Sequence, residues 1–217
     1  MPRFQLPSAL VLAFVTGTLA VQAHAQERLQ VVAFGDSLVA GYGLAPGESF
    51  PEKLQVALSE RGYDVDVVNA GVSGDTTSAG LARLDWSVPE SADLVIVELG
   101  ANDALRGVSA QVTERNLDEI LTRLSARGDT EVVLAGMIAP PNMGGDYARD
   151  FNPVYEAVAE RHGVALYPFF LDGVAADASL NLEDGMHPNA DGIDVIVERF
   201  APFLIERLEA LRQAREG

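Results

Sequence analysis

Leu29-Gln30-Val31-Val32-Ala33-Phe34-Gly35-Asp36-Ser37-Leu38 runs apolar and mostly β-branched as far as Phe34, then breaks at Gly35. Such a run predicts a strand buried on both faces of a parallel sheet. Asp36-Ser37 then fall where the strand hands over to a helix. Ligands of open α/β sheets bind at the carboxyl ends of the strands, so Ser37 stands where chemistry is usually placed. Taken alone, a Gly-Asp-Ser turn is an ordinary structural turn. A catalytic reading needs a base, an orienting acid and oxyanion donors from other strand ends.

The pattern of that segment repeats along the chain. Further strands are expected over Asp64–Asn69, Asp93–Leu99, Glu131–Ile138 and Val164–Tyr167. Between them, Ser49-Phe50-Pro51-Glu52 has capping-box spacing and opens a helix to Arg61, stopped by Gly62. Helices are also expected over Ala110–Arg127 and from Asn189 onward, both with an apolar stripe at helical spacing, and over Tyr147–Arg161. Five strands with intervening helices predict an α/β fold, a flavodoxin-like three-layer α/β/α sandwich on a five-stranded parallel sheet.

Ahead of the first strand, Arg3 precedes a mostly apolar run from Leu6 to Val21, and Ala23-His24-Ala25 offers a small-x-small cleavage site. Residues 1–25 therefore read as a secretory signal peptide, and 26–217 as a single domain that is periplasmic or secreted after cleavage near Ala25. The run is too short and too interrupted for a stable membrane anchor. The 217 residues include no cysteine, which excludes disulfides and a lipidated N-terminal cysteine. A formal charge of −17 argues against nucleic acid and anionic membrane faces as partners. It also sets polyanionic substrates such as coenzyme A thioesters against the average field.

Elimination finds the base. Of three histidines, His24 leaves with the signal peptide, and His162 before Gly163 suits a helix C-terminus. His187 lies in Glu183-Asp184-Gly185-Met186-His187-Pro188-Asn189, which has no apolar periodicity and precedes the final helix. Asp184, three residues upstream, can orient the imidazole or simply make an Asx turn. Pro188 is expected to open the helix and stiffen the loop. Oxyanion donors are sought in Val72-Ser73-Gly74-Asp75 and Gly100-Ala101-Asn102-Asp103. Glycine lets a backbone N–H approach a carbonyl closely, and an asparagine amide donates without competing as a base.

With these blocks in view, the chain resembles a GDSL esterase of the SGNH hydrolase superfamily over its length after residue 25. Phe34-Gly35-Asp36-Ser37-Leu38, Gly41-Tyr42-Gly43 and Tyr167-Pro168-Phe169-Phe170 are similar to the bacterial branch of arylesterases, acyl-CoA thioesterases and lysophospholipases. The resemblance implies Ser37 as nucleophile, His187 as base, Asp184 as its orienting acid, and the Ser37 N–H, Gly74 N–H and Asn102 side chain as oxyanion hole. It implies no metal or cofactor; Asp36, Asp75 and Asp103 read as helix caps or loop-orienting groups. The implied substrates are aryl or short-to-medium acyl esters, with thioesters and lysophospholipids in range. Loop residues Tyr42, Leu44, Trp86, Leu105, Pro141 and Met143 are candidates for an apolar acyl pocket. Two alternatives stay open, a carbohydrate acetylesterase on the same fold and a non-catalytic flavodoxin-like binding module.

Overall fold

The computed structural model describes residues 28–216 together with Met1. The expected signal peptide and its His24 lie outside the described residues. The strands are β1 Leu29–Gly35, β2 Val65–Gly71, β3 Leu94–Glu98, β4 Glu131–Ala135 and β5 Ala165–Tyr167. All pair in parallel in the order β2-β1-β3-β4-β5, the flavodoxin-like order. β1, β3 and β4 are almost wholly buried, as their unbroken apolar runs require.

The helices are α1 Ser37–Ala40, α2 Phe50–Glu60, α3 Thr77–Ser87, α4 Ala101–Leu105, α5 Ala110–Ser125, α6 Gly145–Phe151, α7 Val154–His162 and α8 Ala190–Glu216. α2 packs on α8, whereas α3 and α7 pack on α5. Right-handed crossovers put these two groups on opposite faces of the sheet. The first group is keyed by aromatic rings. Phe50 meets Phe170 and Phe200 edge-on at 4.9 and 5.4 Å, and Tyr167 closes on Phe200 and Phe203. The capping box opens α2 as expected, with the Ser49 N–H and hydroxyl donating to Glu52 Oε2 at 3.1 and 2.5 Å.

Two local expectations need correction, and the helix α3 has no counterpart in the sequence reading. The single helix over Tyr147–Arg161 is two, α6 and α7, because Pro153 has no N–H to continue the ladder and its ring crowds the preceding turn. The last helix opens not at Pro188 but at Ala190, where Asn189 Oδ1 accepts the Gly192 N–H at 2.9 Å. Pro188 instead pairs with Asn181 in an isolated antiparallel bridge. Finally, α3 carries no hydrophobic signal because its buried residues are Thr77, Gly80, Arg83 and Leu84. Gly80 is needed there: a Cβ would meet Leu99 Cδ1 at 2.4 Å.

Candidate active site

β1, β2 and β3 end level with one another, Gly35 being paired with Gly71 on one side and Glu98 on the other. The strand order reverses between β1 and β3, and the turn at this switch point delivers Ser37 as the first residue of α1. Asp36 caps that short helix, accepting the Leu38 N–H at 3.0 Å, and Gly41 ends it in the left-handed conformation. The Ser37 side chain is thereby held at the edge of the sheet rather than within it, with 8% of the residue exposed.

His187 arrives from the other end of the chain. Its loop is closed at the base by the Leu182 N–H donating to His187 O at 2.7 Å. Asp184 does both things its sequence position allowed. Oδ1 takes the backbone N–H groups of Met186 and His187 at 2.9 and 3.0 Å, while Oδ2 faces His187 Nδ1 at 2.6 Å. The His187 N–H foremost, with the Met186 N–H and the imidazole, holds the Asp184 carboxyl down at about 2. A carboxylate there fixes the hydrogen on Nδ1. The Nε2 lone pair then points at Ser37, whose hydroxyl donates to it at 3.0 Å. Asp184, His187 and Ser37 thus form a continuous hydrogen-bonded chain, the arrangement that removes a hydroxyl proton and returns it to a leaving group.

The other two blocks face the same edge and are tied together. Arg106, just past α4, donates to Gly74 O at 2.8 Å, and Asp103 accepts the Thr77 N–H and hydroxyl at 2.8 and 2.6 Å. Neither the Ser37 nor the Gly74 N–H has a backbone acceptor among the described residues. The Asn102 amide gives one hydrogen to Asp36 Oδ2 at 2.9 Å, which leaves its second for a ligand. Gly100 permits this close assembly. It sits at φ 117°, and a Cβ on it would overlap the Tyr155 hydroxyl that donates to Leu99 O. The three aspartates have separate tasks: Asp36 caps α1, Asp103 holds the start of α3, and Asp75 pairs with Arg83 at 2.5 Å.

A family model described as GDSL-like lipase/acylhydrolase matches residues 33–195, which take in all four blocks. The chain belongs to this family. The GDSL esterase is 40% identical over 191 residues to an arylesterase of Vibrio mimicus, covering 88% of this chain and 94% of the relative. It is 36% identical over 184 residues to thioesterase 1/protease 1/lysophospholipase L1 of Escherichia coli, at 84% and 86% coverage. Among solved structures it is similar to AlinE4, an SGNH-hydrolase family esterase. That match has a TM-score of 0.70, 45% identity and coverage of 84% of this chain and 97% of the other.

Around the serine of this GDSL esterase, the candidate pocket residues separate. The Tyr42 ring lies 4.5 Å from that of His187. Leu105 is exposed on α4 one turn past Asn102. Pro141 and Met143 form a 3-10 turn, with Met143 Cε beside Gly107. Leu44 packs partly against the core. Trp86 does not join them: α3 starts at the Gly74 loop and runs back along the sheet for roughly 16 Å, leaving Trp86 77% exposed near its far end. His162 likewise stays away, bonded to Asp118 of α5 at 2.9 Å.

Val72, Ile138 and Met186, all exposed on loops at the carboxyl edge, extend the apolar rim; Ile138, expected within the fourth strand, lies beyond the end of β4 at Ala135. Arg83, Arg106 and Glu98 also escape motif reading, although Glu98 leaves a trace as the one charge inside an apolar strand. Arg83 lies 4.3 Å over the Phe34 ring and donates to Ala70 O and Gly35 O, fixing the ends of β2 and β1.

Proposed function

We propose that the chain hydrolyses carboxylic esters through an acyl-enzyme formed on Ser37. The observation that carries this reading is the unbroken chain from Asp184 through His187 to Ser37, with contacts of 2.6 and 3.0 Å. As Ser37 Oγ bonds to the acyl carbon, its proton passes to His187 Nε2, and Asp184 offsets the charge on the imidazolium. The carbonyl oxygen becomes an oxyanion held by the Ser37 and Gly74 N–H groups and the free Asn102 hydrogen. His187 then protonates the leaving alcohol or thiol as its bond to carbon breaks. A water repeats the sequence in reverse role, giving up a proton to His187 and releasing the acid and Ser37.

The substrates we assign are aryl and short-to-medium acyl esters, with thioesters and lysophospholipids in the same range. Exposed Tyr42, Val72, Leu105, Ile138 and Met186 support an apolar acyl or aryl group over a carbohydrate. The names of the relatives, an arylesterase and a thioesterase/lysophospholipase, point the same way. The test is a hydrolysis panel of aryl esters, acyl thioesters, lysophospholipids and acetylated sugars with purified protein. Aryl and acyl esters should be turned over with higher kcat/KM than acetylated sugars; the reverse order would overturn the assignment.

Residues 1–25 are proposed to direct export and to be removed, leaving a periplasmic or secreted domain of residues 26–217. Arg3, the Leu6–Val21 run and Ala23-His24-Ala25 support this, and among the described residues no helix is long and apolar enough to cross a membrane. N-terminal sequencing of the exported protein should start at Gln26. Full-length protein accumulating in the cytoplasm would refute it.

A further inference from the structure

Glu98 ends β3 directly beneath the turn that carries Ser37. It is fully buried, and the hydrolytic reading gives it no task. Its carboxyl occupies the space where residue 35 would place a side chain: a Cβ on Gly35 would meet Glu98 Oε2 at 2.6 Å. Oε2 accepts the Asp36 N–H at 3.2 Å, while Oε1 has no protein donor. The neighbouring Asp36 carboxyl is also buried, and the two groups are close enough for the charge of Asp36 to raise Glu98. Asp36 accepts two strong donors, the Leu38 N–H on Oδ1 and the Asn102 amide on Oδ2, at 3.0 and 2.9 Å.

Two adjoining buried carboxyls cannot both be charged at modest cost, so one keeps its proton. The donor count decides which. Asp36 has two N–H donors on its carboxylate oxygens and Glu98 has one, so the charge belongs on Asp36 and the proton on the unpartnered Glu98 Oε1. Burial pushes both groups upward, Asp36 to about 6 and Glu98 well above the usual carboxylate range.

We propose that Glu98 is a positioning residue for the oxyanion hole, its buried neutral carboxyl holding the Asp36 backbone N–H on Oε2 so that anionic Asp36 stays placed to grip one hydrogen of the Asn102 amide and aim the other at the reacting carbonyl. The inference rests on the reading of Asn102 as an oxyanion donor. The remaining polar and charged groups turned toward the pair are already engaged or lie beyond it. Arg83 binds Asp75 and Gly35 O, Asp103 binds Thr77, Tyr155 donates to Leu99 O, and His187 faces Ser37.

The test is a set of variants assayed on one aryl ester across pH. Asn102→Ala should lower kcat by about 10²–10³-fold with little change in KM. Glu98→Leu should lower kcat by about 10–100-fold, and little further when Asn102 is already alanine, because Glu98 acts through it. Losses that multiply in the double variant would overturn the proposal. Glu98→Gln keeps a neutral side chain of the same shape with an oxygen to accept the Asp36 N–H, so it should retain kcat near the wild-type value at neutral pH. It should also flatten the alkaline limb of the profile, where the wild-type pair loses its remaining proton.

Stability gives a readout independent of turnover. Both carboxyls are raised in the fold, so their contribution is greatest below the ordinary carboxylate range and is lost as pH rises through about 6 and above. Glu98→Gln should therefore lose less Tm than wild type between neutral and alkaline pH. If Glu98→Leu does not fold, Glu98→Gln decides alone: a kcat as low as that of Asn102→Ala, or an alkaline limb unchanged from wild type, overturns the proposal. A folded Asn102→Ala with wild-type kcat would overturn the oxyanion reading and this inference with it. A normal loss in Asn102→Ala with a folded, fully active Glu98→Leu would overturn this inference only.

Discussion

Ser37→Ala should lower ester turnover by about 10⁴–10⁶-fold while leaving the fold intact. Ser37 Oγ is the only atom in the cluster placed to be both deprotonated by His187 and presented to a substrate at the sheet edge. Its removal deletes covalent catalysis and leaves only binding and oxyanion stabilisation. The side chain makes one protein hydrogen bond, to His187, and packs no core, so unfolding free energy should change by no more than about 1 kcal/mol. The measurement pairs kcat with denaturant unfolding on the same preparation. A folded variant that keeps more than a few per cent of wild-type turnover would remove Ser37 from the role of nucleophile.

Asp184→Asn is expected to cost about 10²–10⁴-fold in kcat, by a different route. An asparagine Oδ1 can still accept the Met186 and His187 N–H groups, so the turn survives. Its amide nitrogen then faces Nδ1 as a donor and draws the imidazole into the tautomer with hydrogen on Nε2. That hydrogen points at Ser37, which no longer has a base. Because the wild-type carboxyl is held at about 2, it stays charged throughout the working range, and its own protonation contributes nothing to the difference between the two proteins there.

The same group bears on stability, with a definite sign. Asp184 is lower in the fold than its ordinary 3.8, so its contribution is full above that value and is lost as pH falls through about 2. Asp184→Asn should flatten that part of the acid unfolding curve. A pH–rate profile and an acid titration of both proteins test the two claims. Near-wild-type turnover in folded Asp184→Asn would show that the Asp184–His187 pair does not do the chemistry.

Helix boundaries show where sequence reading stops. Leu54 and Leu58, or Leu117, Ile120, Leu121 and Leu124, announce their helices because apolar residues recur at helical spacing against an apolar sheet. α3 gives no such signal. Its inward face is Thr77, Gly80, Arg83 and Leu84, and its place is settled by Asp103 at one end and the Leu99 side chain pressing on Gly80. Pro153 stands where α6 gives way to α7, but whether one missing N–H kinks a helix or ends it depends on the packing around it.

The sequence by itself determined the three-layer parallel architecture, since alternating buried strands and amphipathic helices have few other ways to cover their apolar faces. It also determined which residues could serve as nucleophile, base and donors, because strand-end glycines, one eligible histidine and a nearby aspartate leave little choice of chemistry. Only the tertiary structure decided what lies within reach of what. Ser37 and His187, 150 positions apart, meet at 3.0 Å because β1 ends at the switch point and the bridge from Asn181 to Pro188 folds the last loop back over it. Trp86 is carried away by the direction of α3, and Glu98, one more residue of a strand in the sequence, is set beneath the Ser37 turn by its register with Gly35. Distances of this kind follow from strand register and helix packing across the whole sheet, to which no local run of residues has access.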